Sequence, residues 1–278
     1  MLNYTNVPEL SKIPIPFKNT KFAVTHISKH FPLDIKTESL HIHTAIEFVV
    51  TYSNELDFLV KGTIHSLEEG DAILSMPSDL HHAIFKAEKT YEFFCVWIET
   101  DSNSPLISFL NNYKNSRITF SAEYAKRNYD NLTIASNPNA HPLDKTTAML
   151  NFLTTVKNNG TSTLSNNSHP VYLKKIINDI NNNSHEILKV SDILQRHHVS
   201  QATLNRWFKI YLNTSPRLYL ENEKLAAATK MLINGTSVTE ACFSSGFSDC
   251  SHFIAVFKKK FKKTPLCYKK DNGFTKIF

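Results

Sequence analysis

The chain has 278 residues, which is long enough for two domains with separate hydrophobic cores. Lysine and arginine (31) outnumber aspartate and glutamate (25), so the formal net charge is +6. No apolar run reaches the ~20 residues that a membrane span needs, and no basic segment followed by a hydrophobic one opens the chain. We therefore expect a cytoplasmic protein without a membrane segment, whose four scattered cysteines are free thiols.

Short β-prone runs recur in the first hundred residues and are separated by turn residues. They predict strands at 22–25, 47–52, 56–60, 72–74, 83–85 and 91–98. Several short strands at this spacing are typical of a small antiparallel barrel.

Helical patterns follow the strands, at 105–113, 122–134 and 142–156. In the last of these an apolar stripe is predicted, formed by Leu143, Thr147, Leu150, Leu153 and Thr154. Such a stripe packs on the barrel or on a second copy of the chain, so a homodimer is possible.

Histidines and a glutamate cluster within the predicted strands. His41 and His43 lie two apart and would share one face, Glu47 follows, and His81 and His82 come after a turn at Pro77. This spacing resembles that of the cupin barrel, whose metal-binding members use such a set. Three readings stay open: these side chains line a pocket for a polar ligand, satisfy one another inside the barrel, or bind a divalent metal. We favour the effector pocket and predict no metal and no cofactor.

A polar stretch at 157–170 has too few apolar residues to pack into a core, which predicts a linker. It would separate an effector-sensing and dimerisation domain, residues 1–156, from a second domain, residues 171–278.

The second domain contains a repeat. The segment 200–209 returns 49 positions later as 249–258, and each copy has a capping Ser or Asp, apolar residues at +4, +7 and +8, and Lys at +9. Short helices predicted at 190–194 and 238–242 precede the two copies, with turns at 197–199 and 245–248 between the helices. Both units therefore read as helix-turn-helix motifs.

A single long helix from Pro216 to about Leu232 is predicted between the two units. At ~1.5 Å per residue it spans about 27 Å. This is near the ~34 Å repeat of B-DNA, so both units could reach successive major grooves.

Positive charge is concentrated in the second domain. From residue 171 onward there are 17 lysines and arginines against 8 carboxylates, a net charge of +9, whereas the first 170 residues carry −3. A lysine cluster at 258–263 suits DNA phosphates, so double-stranded DNA is the expected partner.

Residues 171–270 resemble the DNA-binding domain of the AraC/XylS family. The second half of the resemblance lies in 246–249, Phe253, 257–258 and 264–265, and the first half in 208–209, 215–216 and 219–220. Asn213 and Lys263 stand where the family usually has Gly. The resemblance implies a transcription regulator whose barrel binds a small effector, most often a sugar. It also implies contact with RNA polymerase at the promoter.

Base reading is expected from the exposed early positions of each recognition helix, with lysines on the phosphates. In the first unit the predicted DNA-binding residues are Ser200, Gln201, Ala202, Asn205, Arg206 and Lys209. In the second they are Ser248, Cys250, Ser251, Ile254, Ala255, Lys258 and Lys259. The first unit offers more hydrogen-bonding groups, so we expect it to discriminate bases more sharply.

The sequence thus predicts an N-terminal cupin-like antiparallel β-barrel with helices, followed by an all-α domain with two helix-turn-helix units. We predict a non-enzymatic, carbohydrate-sensing activator. The alternatives are a metal-dependent cupin enzyme with a basic appendage, and an architectural DNA binder.

Overall fold

The computed structural model describes residues 19–31, 40, 42–54, 56–85, 88–101, 103–114, 116–163 and 171–272. The strands are β1 (Lys21–Phe31), β2 (Ile46–Thr51), β3 (Leu56–Val60), β4 (Thr63–Leu67), β5 (Ala72–Ser75), β6 (His81–Phe85), β7 (Lys89–Glu99), β8 (Arg117–Thr119) and β9 (Thr161–Thr163). The helices are α1 (Pro105–Leu110), α2 (Ala122–Ser136), α3 (Pro142–Asn159), α4 (Val171–Asn183), α5 (Val190–His197), α6 (Gln201–Leu212), α7 (Pro216–Ile233), α8 (Val238–Ser244), α9 (Cys250–Phe261) and α10 (Pro265–Asn272). None of these helices is both long and apolar enough to span a membrane.

The N-terminal strands form two antiparallel sheets, in the orders β1-β7-β2-β5-β8-β9 and β4-β3-β6. The six strands predicted from the sequence correspond to β1, β2, β3, β5, β6 and β7. No ladder within the described ranges closes the two sheets into a barrel, so they form a sandwich. Of the predicted fold class, a cupin-like antiparallel β-barrel with helices followed by an all-α domain, the antiparallel sheet region and the all-α domain are confirmed, whereas the closed barrel is not found within the described ranges.

The three-stranded sheet is covered on both faces. Because side chains alternate along a strand, Leu56, Phe58 and Val60 of β3 pack against the six-stranded sheet. Leu59 points the other way and packs with the C-terminal helices. The far face of the six-stranded sheet is covered by α1, α2 and α3. The molecule is therefore layered, with the three-stranded sheet between the sandwich interior and the helical domain.

The buried face of α3 overlaps the predicted stripe only in part: Leu153 is buried, but other members are not. Leu143 is 66% exposed, and Thr147 and Thr154 are exposed as well. The helix instead buries a neighbouring face that includes Met149 and Phe152. Burying these larger apolar side chains removes more apolar surface from water than burying threonines would, which fixes the rotation of the helix.

The predicted linker begins as regular structure. Helix α3 continues to Asn159, and β9 pairs with β8. The rest of the predicted linker, 164–170, lies outside the described residues, and the domain boundary stays a prediction.

The two helix-turn-helix units are α5 with α6 and α8 with α9, joined by α7. The Ser200 hydroxyl caps α6 by accepting from the Thr203 N–H, and the Asp249 carboxylate caps α9. Gly246 takes a φ of 90° within the predicted turn of the second unit, a conformation that glycine adopts without steric cost.

Two local expectations need correction. The supporting helices begin at Val190 and Val238 as predicted, with Lys189 and Ser237 at their N-caps, but they extend further, to His197 and Ser244. The left-handed residues that end α6 and α9 are Asn213 and Lys262, at φ of 48° and 59°, so the glycine-like position of the second unit is Lys262 and not Lys263.

The β3–β4 hairpin inserts into the helical domain. Lys61 and Gly62 form its turn with φ of 47° and 75°. A Cβ at Gly62 would lie 2.2 Å from Ile177 Cγ2 and 2.8 Å from Tyr219 Oη. The amide of Asn181 donates to the Lys61 carbonyl over 2.9 Å, so the hairpin is held by backbone shape and by a hydrogen bond.

Gly62→Ala is expected to destabilise the protein more than Gly235→Ala does. Both residues have a positive φ, so an alanine is strained at either position by about 1–2 kcal/mol. Only Gly62 has no room for a Cβ, whereas nothing lies within 4 Å of a Cβ built on Gly235. Chemical denaturation of the two variants measures the difference. Equal losses in the free energy of unfolding would show that the hairpin is not tightly docked.

Candidate functional site

Most of the predicted DNA-contacting residues are exposed on the two recognition helices. In the first unit Ser200, Gln201, Ala202, Asn205, Arg206 and Lys209 are all exposed. In the second unit the exposed ones are Ser248, Ser251, Ile254, Ala255, Lys258 and Lys259. The Gln201 amide donates to Asn205 Oδ1 over 2.9 Å, which aligns two polar side chains along one helix face. The exposed side chains of each unit do not pack in its core and are therefore free to contact a partner.

Cys250 departs from this pattern. It is half-buried at the start of α9, and its side chain makes a hydrogen bond with Cys242 of α8. Burial, and then this contact, raises the pKa of the Cys242 thiol. Cys250 thus belongs to the packing between α8 and α9, which the sequence did not reveal because Cys242 and Cys250 come together only after the turn forms.

The lysine cluster of the second unit is divided in the same way. Lys258 and Lys259 are exposed, but Lys260 turns inward and donates to the Leu40 carbonyl. Lys263 pairs with Asp271 over 2.6 Å. The phosphate-binding charge that stays available on α9 is thus smaller than the count of lysines predicts.

Lys224, on α7, holds the two units in register. Its Nζ donates to the Leu188 carbonyl, which precedes α5, and to the Gly246 carbonyl in the turn of the second unit, over 3.1 and 2.7 Å. Burial lowers the pKa of this lysine. One side chain of the joining helix therefore fixes both units.

Three of the predicted effector-site residues meet between the sheets. Nε2 of His43 and Nε2 of His81 lie 3.2 and 2.9 Å from the same oxygen, Oε2 of Glu47. Their Nδ1 atoms lie against the carbonyls of Ala45 and Asp79, which can only accept, so each Nδ1 carries a proton. We call His43, Glu47 and His81 the histidine–glutamate cluster.

The electrostatics of the cluster favour an ionised Glu47. Burial acts to raise the pKa of its carboxyl, but the hydrogen bonds and charges of the two histidines hold it well below the usual range. The ligand atoms of the three side chains lie within 4.8 Å of one another, so two imidazoles and a carboxylate could together hold a divalent cation.

A fourth predicted residue, His82, lies away from the cluster. His82 pairs with Leu59 across β3 and β6, on the face that packs against the helices, because neighbouring residues of a strand point to opposite faces. His41 lies outside the described residues.

Comparisons with known proteins agree on the C-terminal part. A family model described as "Helix-turn-helix domain" matches residues 193–271. The HTH-type transcriptional activator RhaS of Yersinia pestis (strain Pestoides F) is 29% identical over 94 residues, which is 34% of each chain. The C-terminal domain is an AraC-type helix-turn-helix domain.

Similarity extends beyond the AraC-type domain. The uncharacterized HTH-type transcriptional regulator YdeC of Bacillus subtilis (strain 168) is 24% identical over 252 residues, 84% of this chain and 87% of YdeC. The crystal structure of ToxT from Vibrio cholerae has 12% identity and a TM-score of 0.38, covering 90% of this chain and 98% of ToxT. The AraC-type helix-turn-helix domain gives the chain a DNA-binding role in transcription regulation.

Sequence reasoning missed three residues beside the histidine–glutamate cluster. Ser75 and Trp97 are the cross-strand neighbours of Glu47 and share its face. His65 pairs with Phe58 and so faces the same interior. Within the described part of the chain, Ser75 Oγ and both ring nitrogens of His65 are buried without a hydrogen-bond partner. Burial, with Arg117 nearby, lowers the pKa of His65 to about 4. Only strand pairing, which the sequence does not give, places these residues together.

Proposed function

We propose that the sheet region of this regulator binds a small polar effector, a carbohydrate, and that binding controls how the AraC-type domain engages promoters. The observation that carries the proposal is that polar atoms of Ser75 and His65, in the sandwich interior beside the histidine–glutamate cluster, have no hydrogen-bond partner among the described residues. Buried polar groups in proteins are nearly always hydrogen-bonded. A hydroxyl-rich ligand would supply the missing partners.

The chemistry of the interior suits a sugar. Imidazole, carboxylate and hydroxyl groups donate to and accept from hydroxyls, and Trp97 gives an apolar surface next to Glu47. Small-molecule sites commonly combine aromatic walls with a few polar groups that fix orientation. The proposed effector-binding residues are His43, Glu47 and His81, with Ser75, His65 and Trp97 added.

Carbohydrate binding is tested by a thermal-shift screen of monosaccharides and disaccharides. A ligand at ~100 times its dissociation constant should stabilise the protein by about 2.7 kcal/mol. Glu47→Gln should abolish the shift, whereas Glu99→Gln, at an exposed end of β7, should keep it. Ser75→Ala should weaken the shift without loss of folding, because this hydroxyl has no partner within the described residues to lose.

No shift with any sugar would refute the carbohydrate assignment. Stoichiometric iron, manganese or zinc in protein purified without a chelator would instead support the rival function, a metal-dependent enzyme that uses the same cluster.

For DNA recognition, we propose that the first helix-turn-helix unit contacts base edges and that the second mainly binds phosphates. Gln201, Asn205 and Arg206 lie exposed on α6 and match adenine and guanine edges, whereas α9 exposes Ile254 and Ala255 there. The relative RhaS is an activator. We propose the same role here, with contact to RNA polymerase, and a homodimer through the exposed face of α3.

Arg206→Ala should cost about 1–3 kcal/mol on DNA sites that the wild-type protein selects from a random pool, and should relax one base position. Lys259→Ala should weaken selected and random DNA alike, because a phosphate contact carries no sequence information. Fluorescence anisotropy at fixed salt measures both. If Arg206→Ala weakens selected and random DNA equally, Arg206 does not read a base.

A further inference from the structure

The turn Met76–Leu80 touches both the histidine–glutamate cluster and the DNA-binding domain. On the cluster side, the Asp79 carbonyl accepts from Nδ1 of His81 over 2.7 Å. The Ser78 N–H donates to the His43 carbonyl over 2.9 Å. Two of the three cluster residues are thus bonded directly to this turn.

On its other side the same turn holds α7. The hydroxyls of Ser78 and Thr229 are hydrogen-bonded over 3.0 Å and both residues are buried. The Asp79 carboxylate lies 3.9 Å from Nζ of Lys230, and Leu80 belongs to the core of the helical domain. The turn therefore anchors the helix that joins the two helix-turn-helix units.

A second contact runs from the segment before His43. Leu40 packs in the core of the helical domain, and its carbonyl accepts from Lys260 of α9. Since Ser78 also binds the His43 carbonyl, both contacts with the helices start next to the cluster.

The interface around the turn contains a cavity and a buried polar atom that has no hydrogen-bond partner among the described residues. A cavity of about 210 Å³ lies there, lined by Lys61, Asp79, Asn181, Glu223 and Lys230 among others. Oε1 of Glu223 is buried without a hydrogen-bond partner within the described part of the chain, and burial raises the pKa of this carboxyl to about 7. An unsatisfied buried carboxyl is costly, so this interface can open for less free energy than a fully satisfied core.

We propose that the Met76–Leu80 turn is a latch that couples the histidine–glutamate cluster to α7. This inference rests on the proposed effector site. A ligand that takes over the hydrogen bonds of Glu47 displaces His81. Because His81 is bonded to the Asp79 carbonyl, its movement shifts the backbone at Asp79, and the hydrogen bond between Ser78 and Thr229 breaks. Because Lys224 of α7 binds the turn of the second unit and the entry to the first, freeing α7 changes how the two units sit on DNA. The ligand acts by favouring the unlatched state.

Hydrogen–deuterium exchange on the full chain tests the latch without an effector. His81→Ala removes the bond to the turn and should speed amide exchange of α7 around Thr229 by about ten-fold or more, within the range of known allosteric couplings. His65→Ala is the matched control, since it removes an equally buried ring whose nitrogens make no hydrogen bond to the turn or to any other described residue. Exchange in β2 and β7 reports any general loss of stability.

Coupling must also run in reverse. Thr229→Val keeps the volume of the side chain and removes the hydroxyl, so it should speed exchange in residues 76–81 and leave β2 unchanged.

If α7 exchanges at the wild-type rate in His81→Ala, or equally fast in His65→Ala, the latch is refuted. A blank sugar screen would refute the carbohydrate effector but would not change this result. A sugar response with unaltered α7 exchange would refute the latch alone.

Discussion

The three-stranded sheet β4-β3-β6 is buried on both of its faces, and the arrangement of the rest of the protein depends on this. One face closes the sandwich over the histidine–glutamate cluster, and the other forms part of the core of the helical domain. A sheet buried on both sides cannot shift without disturbing packing on both. The N-terminal sheet region and the DNA-binding domain therefore share a structural layer.

Helix α7 connects this shared layer to both helix-turn-helix units. The helix is packed against the sheet by the hairpin at Gly62, and it carries Lys224, which binds both helix-turn-helix units. The exposed residues of α6 and α9 are consequently presented by one rigid frame. Regulation in such a protein needs a contact that can open at modest cost, and the polar interface around Ser78, Asp79 and Glu223 has that character.

Features that depend on neighbouring residues could be predicted from the sequence. The capped repeat, Gly246 and six of the strands follow from local periodicity and backbone preference. Which face of a helix is buried was harder to predict. Helix α3 buries Phe152 because this side chain packs against the six-stranded sheet. Cys250 is half-buried because it forms a hydrogen bond with Cys242 on the other side of the turn.

Long-range placement could be predicted only where a family resemblance supplied it. His43, Glu47 and His81 could be grouped through a family resemblance, but Ser75, His65 and Trp97 join the same interior only through strand pairing. Likewise, a Lys-Gly pair predicts a hairpin turn, and nothing in it shows that the turn enters another domain.

The chain has two tryptophans, one on each side of the shared layer: Trp97 in β7 and Trp207 in α6. Trp97→Phe and Trp207→Phe each leave one reporter, and urea unfolding followed by fluorescence then reads the two domains separately. If the shared sheet joins them into one cooperative unit, the two transitions coincide in midpoint and slope. Two separate transitions would contradict a shared cooperative layer, because the N-terminal sheet region could then unfold while the DNA-binding domain stayed intact.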